Sequence, residues 1–240
     1  MKKYTAAVFD LYGTLTDVLT DEEGEETWDR FSAYLTENGV PYTSSEAKRV
    51  FTAAENALKR KPSCYRYPEY DILPAFETLC RAKKPDAGRD IARAAGECFR
   101  RCALRRLELY PHTLQVLNAL KKRGIRLYML TNAQAVYTKQ EIETLSLFDY
   151  FDAVYISSER GCMKPDVAFF DALLSEQGLK PEETLMIGND AFSDAGVALA
   201  AGTDCAFLNT GGSTGIMPEC RFVYPDGDII HVLEAFPENE

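Results

Sequence analysis

Asp10 is the residue of this chain best placed to do chemistry. It follows the apolar run Ala6 to Phe9 and precedes Tyr12-Gly13-Thr14, so a carboxylate stands where a strand ends and the chain turns at once. A carboxylate so placed can attack an electrophilic phosphorus or carbon and form a covalent ester. Three later segments supply groups that such a reaction uses. Leu127-Tyr128-Met129-Leu130 runs into Thr131-Asn132, an apolar strand pattern ending in a hydroxyl. Lys164 precedes Pro165 and a helical pattern, and it offers a fixed positive charge among several acids. Asp190 and Asp194 stand four apart after Met186-Ile187-Gly188-Asn189, ahead of an alanine-rich helical stretch that ends at Gly202. Each segment alone is commonplace. Lys164 by itself reads as a surface lysine, and Asp194 as a residue that the macrodipole favours at a helix N-terminus.

The elements that must hold these groups alternate along the chain. Residues 4–10, 125–131, 152–156, 183–188, 204–208 and 221–224 are short apolar runs, most of them ending in Gly, Asp, Thr or Asn. Helical patterns lie between the later ones: Leu114, Leu117 and Leu120 recur at helical spacing, as do Phe169, Phe170, Leu173 and Leu174. This pattern predicts an α/β fold, a doubly wound and mostly parallel sheet covered on both faces. Chemistry in such sheets sits outside the carboxyl ends of the strands. Residues 17–105 read differently, with four helical segments and no strand. Ala47, Val50, Phe51, Ala54, Ala57 and Leu58 share one face, and Ile91, Ala94, Ala95, Cys98 and Cys102 share another. The expected division is an α/β core from 1–16 and 106–240, with 17–105 inserted as an all-helical domain.

Taken in order, Asp10-Leu11-Tyr12-Gly13-Thr14, the strand ending at Thr131, Lys164-Pro165 and the Asp190–Asp194 pair resemble the four motifs of the haloacid dehalogenase superfamily of hydrolases. They span residues 6 to about 202, and the helical insert matches the position of the cap in many members. The resemblance implies a Rossmann-like core with Asp10 as nucleophile and Thr14 beside it. It places Thr131 and the backbone amides after Asp10 on the oxygens of a transferring phosphoryl group. Lys164 would hold the nucleophile ionised. The implied cofactor is Mg²⁺, held by Asp10, the backbone carbonyl of Tyr12 and Asp190, with Asp194 binding directly or through water; one or two carboxylates plus a substrate phosphate suit that ion. Tyr12, Asn132 and, from the stretch Arg60 to Tyr70 of the cap, Arg66 are expected against the substrate.

The first motif is usually written D-x-D-x-T, and here Tyr12 replaces the second acid. In the family's phosphatases that acid protonates the leaving alkoxide and then helps to activate water. An unperturbed phenol has a pKa of about 10, and losing a general acid typically costs about 10²–10⁴ in rate. The superfamily's haloacid dehalogenases do carry tyrosine there, because halide leaves without a proton. Their fourth motif resembles S-x-N-x-x-D, however, whereas this chain has Ala191 three before Asp194 and a carboxylate at Asp190. The acid pair favours a Mg²⁺-dependent phosphatase of a small phosphorylated metabolite, working through an aspartyl-phosphate on Asp10. The alternatives are a metal-independent 2-haloacid dehalogenase forming an alkyl ester on Asp10, or a catalytically weak metabolite-binding protein.

Composition narrows the partners. The 240 residues carry 27 Lys+Arg against 37 Asp+Glu, a net charge of −10 that argues against nucleic acid as the ligand. The acidic run Asp21 to Glu26 reads as a solvated linker and helix start. Seven cysteines without a C-x-x-C pair, and only two histidines, read as reduced thiols with no zinc site. No apolar run reaches the roughly 20 residues of a membrane helix, and no signal-like segment opens the chain. The expectation is a cytoplasmic protein, monomer or homodimer, acting on a phosphate ester or haloacid.

Overall fold

The computed structural model describes residues 4–211 and 219–237. Its strands are β1 (Ala6–Phe9), β2 (Thr16–Thr20), β3 (Leu104–Leu109), β4 (Arg126–Thr131), β5 (Ala153–Ile156), β6 (Thr184–Gly188), β7 (Asp204–Leu208) and β8 (Phe222–Tyr224). Six of them form one sheet in the order β5-β4-β1-β6-β7-β8, and every neighbouring pair is parallel. These are the six apolar runs of the sequence, and the doubly wound α/β expectation holds. Near-continuous apolar runs suit strands buried on both faces. Side chains alternate across the sheet. From β1, Ala7 and Phe9 enter one core cluster with Val116, Leu117 and Leu120, while Ala6 and Val8 enter the other with Phe169, Phe170 and Val197. The first cluster is covered by α5 (Thr113–Lys122), the second by α7 (Val167–Glu176) and α8 (Asp194–Ala201); α6 (Ala135–Thr144) follows β4. Truncating fully buried Phe9 to alanine would cost about 3–5 kcal/mol.

Four helices stand between β2 and β3: α1 (Glu25–Glu37), α2 (Ser44–Lys59), α3 (Leu73–Arg81) and α4 (Arg89–Ala103). A capping box fixes the start of α2, with Thr43 accepting from the Glu46 amide while the Glu46 side chain accepts from the Thr43 amide; such caps are worth about 1 kcal/mol. The helices bury an aromatic cluster of Trp28, Phe31, Phe51, Phe76 and Phe99, with ring centroids 5.0 Å apart for Trp28–Phe99 and 4.7 Å for Phe51–Phe76. Tyr137 of α6 belongs to this cluster, whereas Ile142 of the same helix packs under the sheet. One helix thus serves both layers.

One expectation is corrected. Residues 17–105 were expected to hold no strand, yet β2 leads into the helices and β3 leads out, pairing antiparallel with Asp17 opposite Glu108 and Leu19 opposite Arg106. The ribbon escapes sequence reading because most of its residues are only half-buried or exposed, and β3 carries Arg105, Arg106 and Glu108. Cross-strand pairs stabilise it instead, including Arg106 Nε to Asp17 Oδ2 at 2.8 Å. Among the described residues no helix is long and apolar enough to cross a membrane.

Candidate active site

The strand order places the site. β1 lies between β4 and β6, with Phe9 level with Met129 on one side and Ile187 on the other. The carboxyl ends of these three strands therefore open on one edge, where the direction of winding reverses and ligands of open α/β sheets bind. Asp10 is the first residue beyond β1, its amide still donating to the Ile187 carbonyl at 2.9 Å. Thr131 ends β4 and Gly188 ends β6.

Lys164 reaches this edge from the loop before α7 and lies between two acids, with Nζ 2.7 Å from Asp10 Oδ1 and 2.6 Å from Asp194 Oδ1. Lys164 is 2% exposed, Asp10 7% and Asp194 1%, so the cluster sits almost wholly out of water. Burial alone would lower the lysine pKa, but Asp10 and Asp194 outweigh it and hold the ammonium above its ordinary value. Burial raises Asp194 to about 6 against the pull of Lys164. The other Asp194 oxygen accepts from the backbone amides of Asn189 and Asp190, each at 3.0 Å. Gly188 makes this possible, because a Cβ there would lie 2.3 Å from the Asp194 carboxylate. The second oxygen of Asp10 lies 3.3 Å from Thr14 Oγ1. Gly13, with φ of +82°, supplies the turn between them.

Some expected residues arrive where the sequence suggested, and others do not. Asp10, Thr14, Thr131, Lys164 and Asp194 gather at the edge. The Thr131 hydroxyl is fully buried and has no hydrogen-bond partner among the described residues. At the end of β4 the protein thus leaves the hydrogen-bonding capacity of a buried hydroxyl unused. Asn132, expected against the substrate, is instead consumed by the protein: its Nδ2 donates to the Lys164 carbonyl at 2.9 Å and its Oδ1 accepts from the Lys164 amide at 2.8 Å. It aims Lys164. Asp190, expected to bind metal, is exposed, and its Oδ1 accepts from the Ser193 amide at 2.5 Å at the start of α8. Asp194 is taken up by Lys164 and two amides. No group of three or more His, Cys, Asp and Glu side chains is placed to hold a metal among the described residues.

Asn189, not Asp190, faces the turn that follows Asp10. Its Oδ1 is 3.3 Å from Thr14 Oγ1, and its amide lies so close over Gly13 that a Cβ there would meet it at 2.3 Å. The side-chain oxygen left for Mg²⁺ beside the Thr14 hydroxyl is Asn189 Oδ1, with the Asp10 carboxylate and the backbone carbonyl of Tyr12 as the other candidate ligands. One carboxylate and one amide fit an ion that keeps several waters and takes the rest of its shell from a substrate phosphate.

Tyr12 also departs from expectation. Its hydroxyl donates to the Glu141 carboxylate and lies 3.0 Å from Thr138 Oγ1, both on α6. Arg100 of α4 holds Glu141 through Nε at 2.6 Å and reaches Glu22 at 2.8 Å. Its guanidinium stands over the rings of Tyr12 and Tyr137, at 5.8 and 5.4 Å. Burial, reinforced by the Glu141 charge, raises the Tyr12 pKa far above that of a free phenol. The side chain is therefore a neutral strut between the Asp10–Thr14 turn and the helical layer. Neither Glu141 nor Arg100 carries a motif, so nothing in the sequence marked them.

The loop between α2 and α3 is tied to the same edge. Tyr67 donates its amide to Asp166 Oδ2 at 3.1 Å, and its carbonyl accepts from the Met163 amide at 3.0 Å. Asp166 at the same time caps α7 through the Ala168 amide. Gln134 grips Tyr70 and Ile72 by their backbones. Arg66 is exposed, with its guanidinium 5.3 Å from the Tyr67 ring centre. Tyr67 in turn meets Phe192, an exposed ring between Asp190 and Asp194.

A family model of haloacid dehalogenase-like hydrolases matches residues 4–202. The phosphoserine phosphatase of Thermus thermophilus is 30% identical over 188 residues, covering 75% of this chain and 74% of that protein. The phosphoglycolate phosphatase of Rhodospirillum rubrum is 28% identical over 251 residues, covering 98% of each. The crystal structure of a 2-haloacid dehalogenase from Pseudomonas syringae pv. Tomato DC3000 has 20% identity and a TM-score of 0.67 over 97% of both chains, a likeness of fold.

Proposed function

The chain belongs to the haloacid dehalogenase-like hydrolases, and we propose that it is a phosphatase of small phosphorylated metabolites in which Asp10 accepts the phosphoryl group. The observation that carries this reading is the buried Asp10–Lys164–Asp194 cluster beside the unpartnered Thr131 hydroxyl. Asp10 Oδ2 attacks phosphorus, the Lys164 ammonium holds Asp10 Oδ1 and offsets part of the incoming charge, and Thr131 donates to a phosphoryl oxygen. Asn132 keeps the ammonium in register. Asp10 and Asn189, with the Tyr12 carbonyl, would hold Mg²⁺, which when bound supplies positive charge to the phosphoryl oxygens. Residues 17–105 act as a cap over the strand ends, on the β2–β3 ribbon, with Arg66 at its rim to meet an anionic group of the substrate. The phosphatase names of the relatives support the same reaction class.

Phosphate release from 4-nitrophenyl phosphate tests the reading. Turnover in Mg²⁺ that chelation removes and Asp10→Asn abolishes is the expected result. Turnover that persists in Asp10→Asn rejects Asp10 as nucleophile. A second reading, carbon–halogen hydrolysis, is favoured by Tyr12 and by the amide of Asn189 where a metal-binding acid was expected. Halide release from 2-chloropropionate in chelator, without phosphate release from any ester, would establish it instead.

A further inference from the structure

Breaking a phosphate monoester of an ordinary alcohol leaves an alkoxide, which needs a proton as it departs. Among the described residues placed beside Asp10, no acidic side chain is free to give that proton. Lys164 divides its ammonium between Asp10 and Asp194. Asp194 accepts from that ammonium and from two backbone amides, so neither of its oxygens is free to carry a proton towards a ligand. Asp190 turns out to solvent and onto the Ser193 amide. Asn132 spends both ends of its amide on the Lys164 backbone. Tyr12, two residues beyond the nucleophile, gives its hydroxyl hydrogen to Glu141, which Arg100 fixes from the far side. Thr14, Thr131 and the amide of Asn189 donate hydrogen bonds but are not acids at neutral pH.

Resting on the phosphatase reading above, we infer that the substrates of this site are activated phosphates, in the first place acyl phosphates, whose leaving group departs as a stable anion without taking a proton from the protein. The steps balance in that form. Asp10 Oδ2 forms a bond to phosphorus as the bond from phosphorus to the leaving oxygen breaks, and that oxygen leaves with the electron pair as a carboxylate. Water then attacks the aspartyl-phosphate, the Asp10 ester bond breaks, and dihydrogen phosphate departs with both protons of the water. Among the described residues no free base stands beside Asp10 for that water either, so the second step is the slower one for a well-activated substrate.

The test is a leaving-group series on the full chain in Mg²⁺: acetyl phosphate, 4-nitrophenyl phosphate, phenyl phosphate and glycerol 3-phosphate. The expected result is a fall in kcat/KM of about 10²–10⁴ from acetyl phosphate to glycerol 3-phosphate, with a burst of nitrophenolate before the steady state. Glycerol 3-phosphate turned over within tenfold of acetyl phosphate overturns the inference and leaves the phosphatase reading standing. No phosphate from any member, or undiminished release in Asp10→Asn, overturns both. Tyr12→Phe separates a strut from an acid: the ratio of rates across the series stays unchanged if the phenol transfers no proton. A loss confined to glycerol 3-phosphate would show that it does.

Discussion

Arg100→Met is the perturbation that most directly tests how the helical layer is joined to the Asp10–Thr14 turn. The Arg100 side chain is 12% exposed and that of Glu141 5%, so removing the guanidinium strands a carboxylate in the interior. Glu141 would lose its contacts with Nε at 2.6 Å and Nη2 at 3.4 Å, keeping only the Tyr12 hydroxyl as a donor. Breaking a buried pair from one side costs about 3–5 kcal/mol, because the uncompensated charge stays behind. For a chain of this length that lowers Tm by about 6–20 °C. The loss should reverse in large part in Arg100→Met/Glu141→Gln, where a neutral amide still accepts from Tyr12 and no longer needs a cation. Denaturant unfolding followed by fluorescence and by far-UV circular dichroism measures both. The single tryptophan, Trp28, lies 5.0 Å from Phe99 on α4, so its emission reports the helical layer. In Arg100→Met the fluorescence transition should run ahead of the dichroism transition. A cost under about 1 kcal/mol, as for an exposed pair, or no recovery in the double variant, would refute the strut.

Three other outcomes follow from the site. Thr131→Val removes a buried hydroxyl without a partner, so the free protein should gain about 1 kcal/mol in denaturant unfolding, while kcat/KM falls about 10²–10³-fold through loss of one donor to the phosphoryl group. Asn189→Asp puts a carboxylate beside the Thr14 hydroxyl that also meets Asp10, and should lower the Mg²⁺ concentration for half-maximal activity on the order of tenfold; an unchanged requirement would remove Asn189 from the metal site. Burial raises the Asp194 pKa to about 6, so protonation below that pH takes away one of the two acceptors of Lys164. The pH profile of kcat should therefore drop on an acid limb near pH 6 that Asp194→Asn eliminates.

The sheet was legible because its strands are buried on both faces and so write themselves as uninterrupted apolar runs. Asp10, Thr131 and Lys164 were legible for a related reason, since each sits where such a run stops or just before a helix starts. What stayed hidden depends on side-chain direction. Asn189 and Asp190 are adjacent, and only the course of the chain past Gly188 decides which faces Asp10; spacing from Asp194 pointed to the acid, and the structure turns the amide inward. The Tyr12 strut was hidden because its partners lie 126 and 129 residues away and on a different layer. The β2–β3 ribbon left no trace because its stability comes from cross-strand pairs rather than from a buried face.

Tyr12 and Asn189 alter the site in the same direction. A carboxylate two residues after Asp10 would have no cation of its own, because Arg100 already serves Glu141 and Lys164 serves Asp10 and Asp194. A second carboxylate at 189 would add to the repulsion that an arriving phosphate meets. With tyrosine and asparagine in those positions, two buried carboxylates face one ammonium, and the substrate dianion meets a single uncompensated negative charge. That arrangement needs less from a metal for binding, but it has no proton to give when the leaving group departs. The charge that was removed is the group that would have carried the proton. Lower repulsion and a narrower choice of leaving group are therefore two consequences of one pair of residues, and the leaving-group series and the Asn189→Asp titration measure them separately.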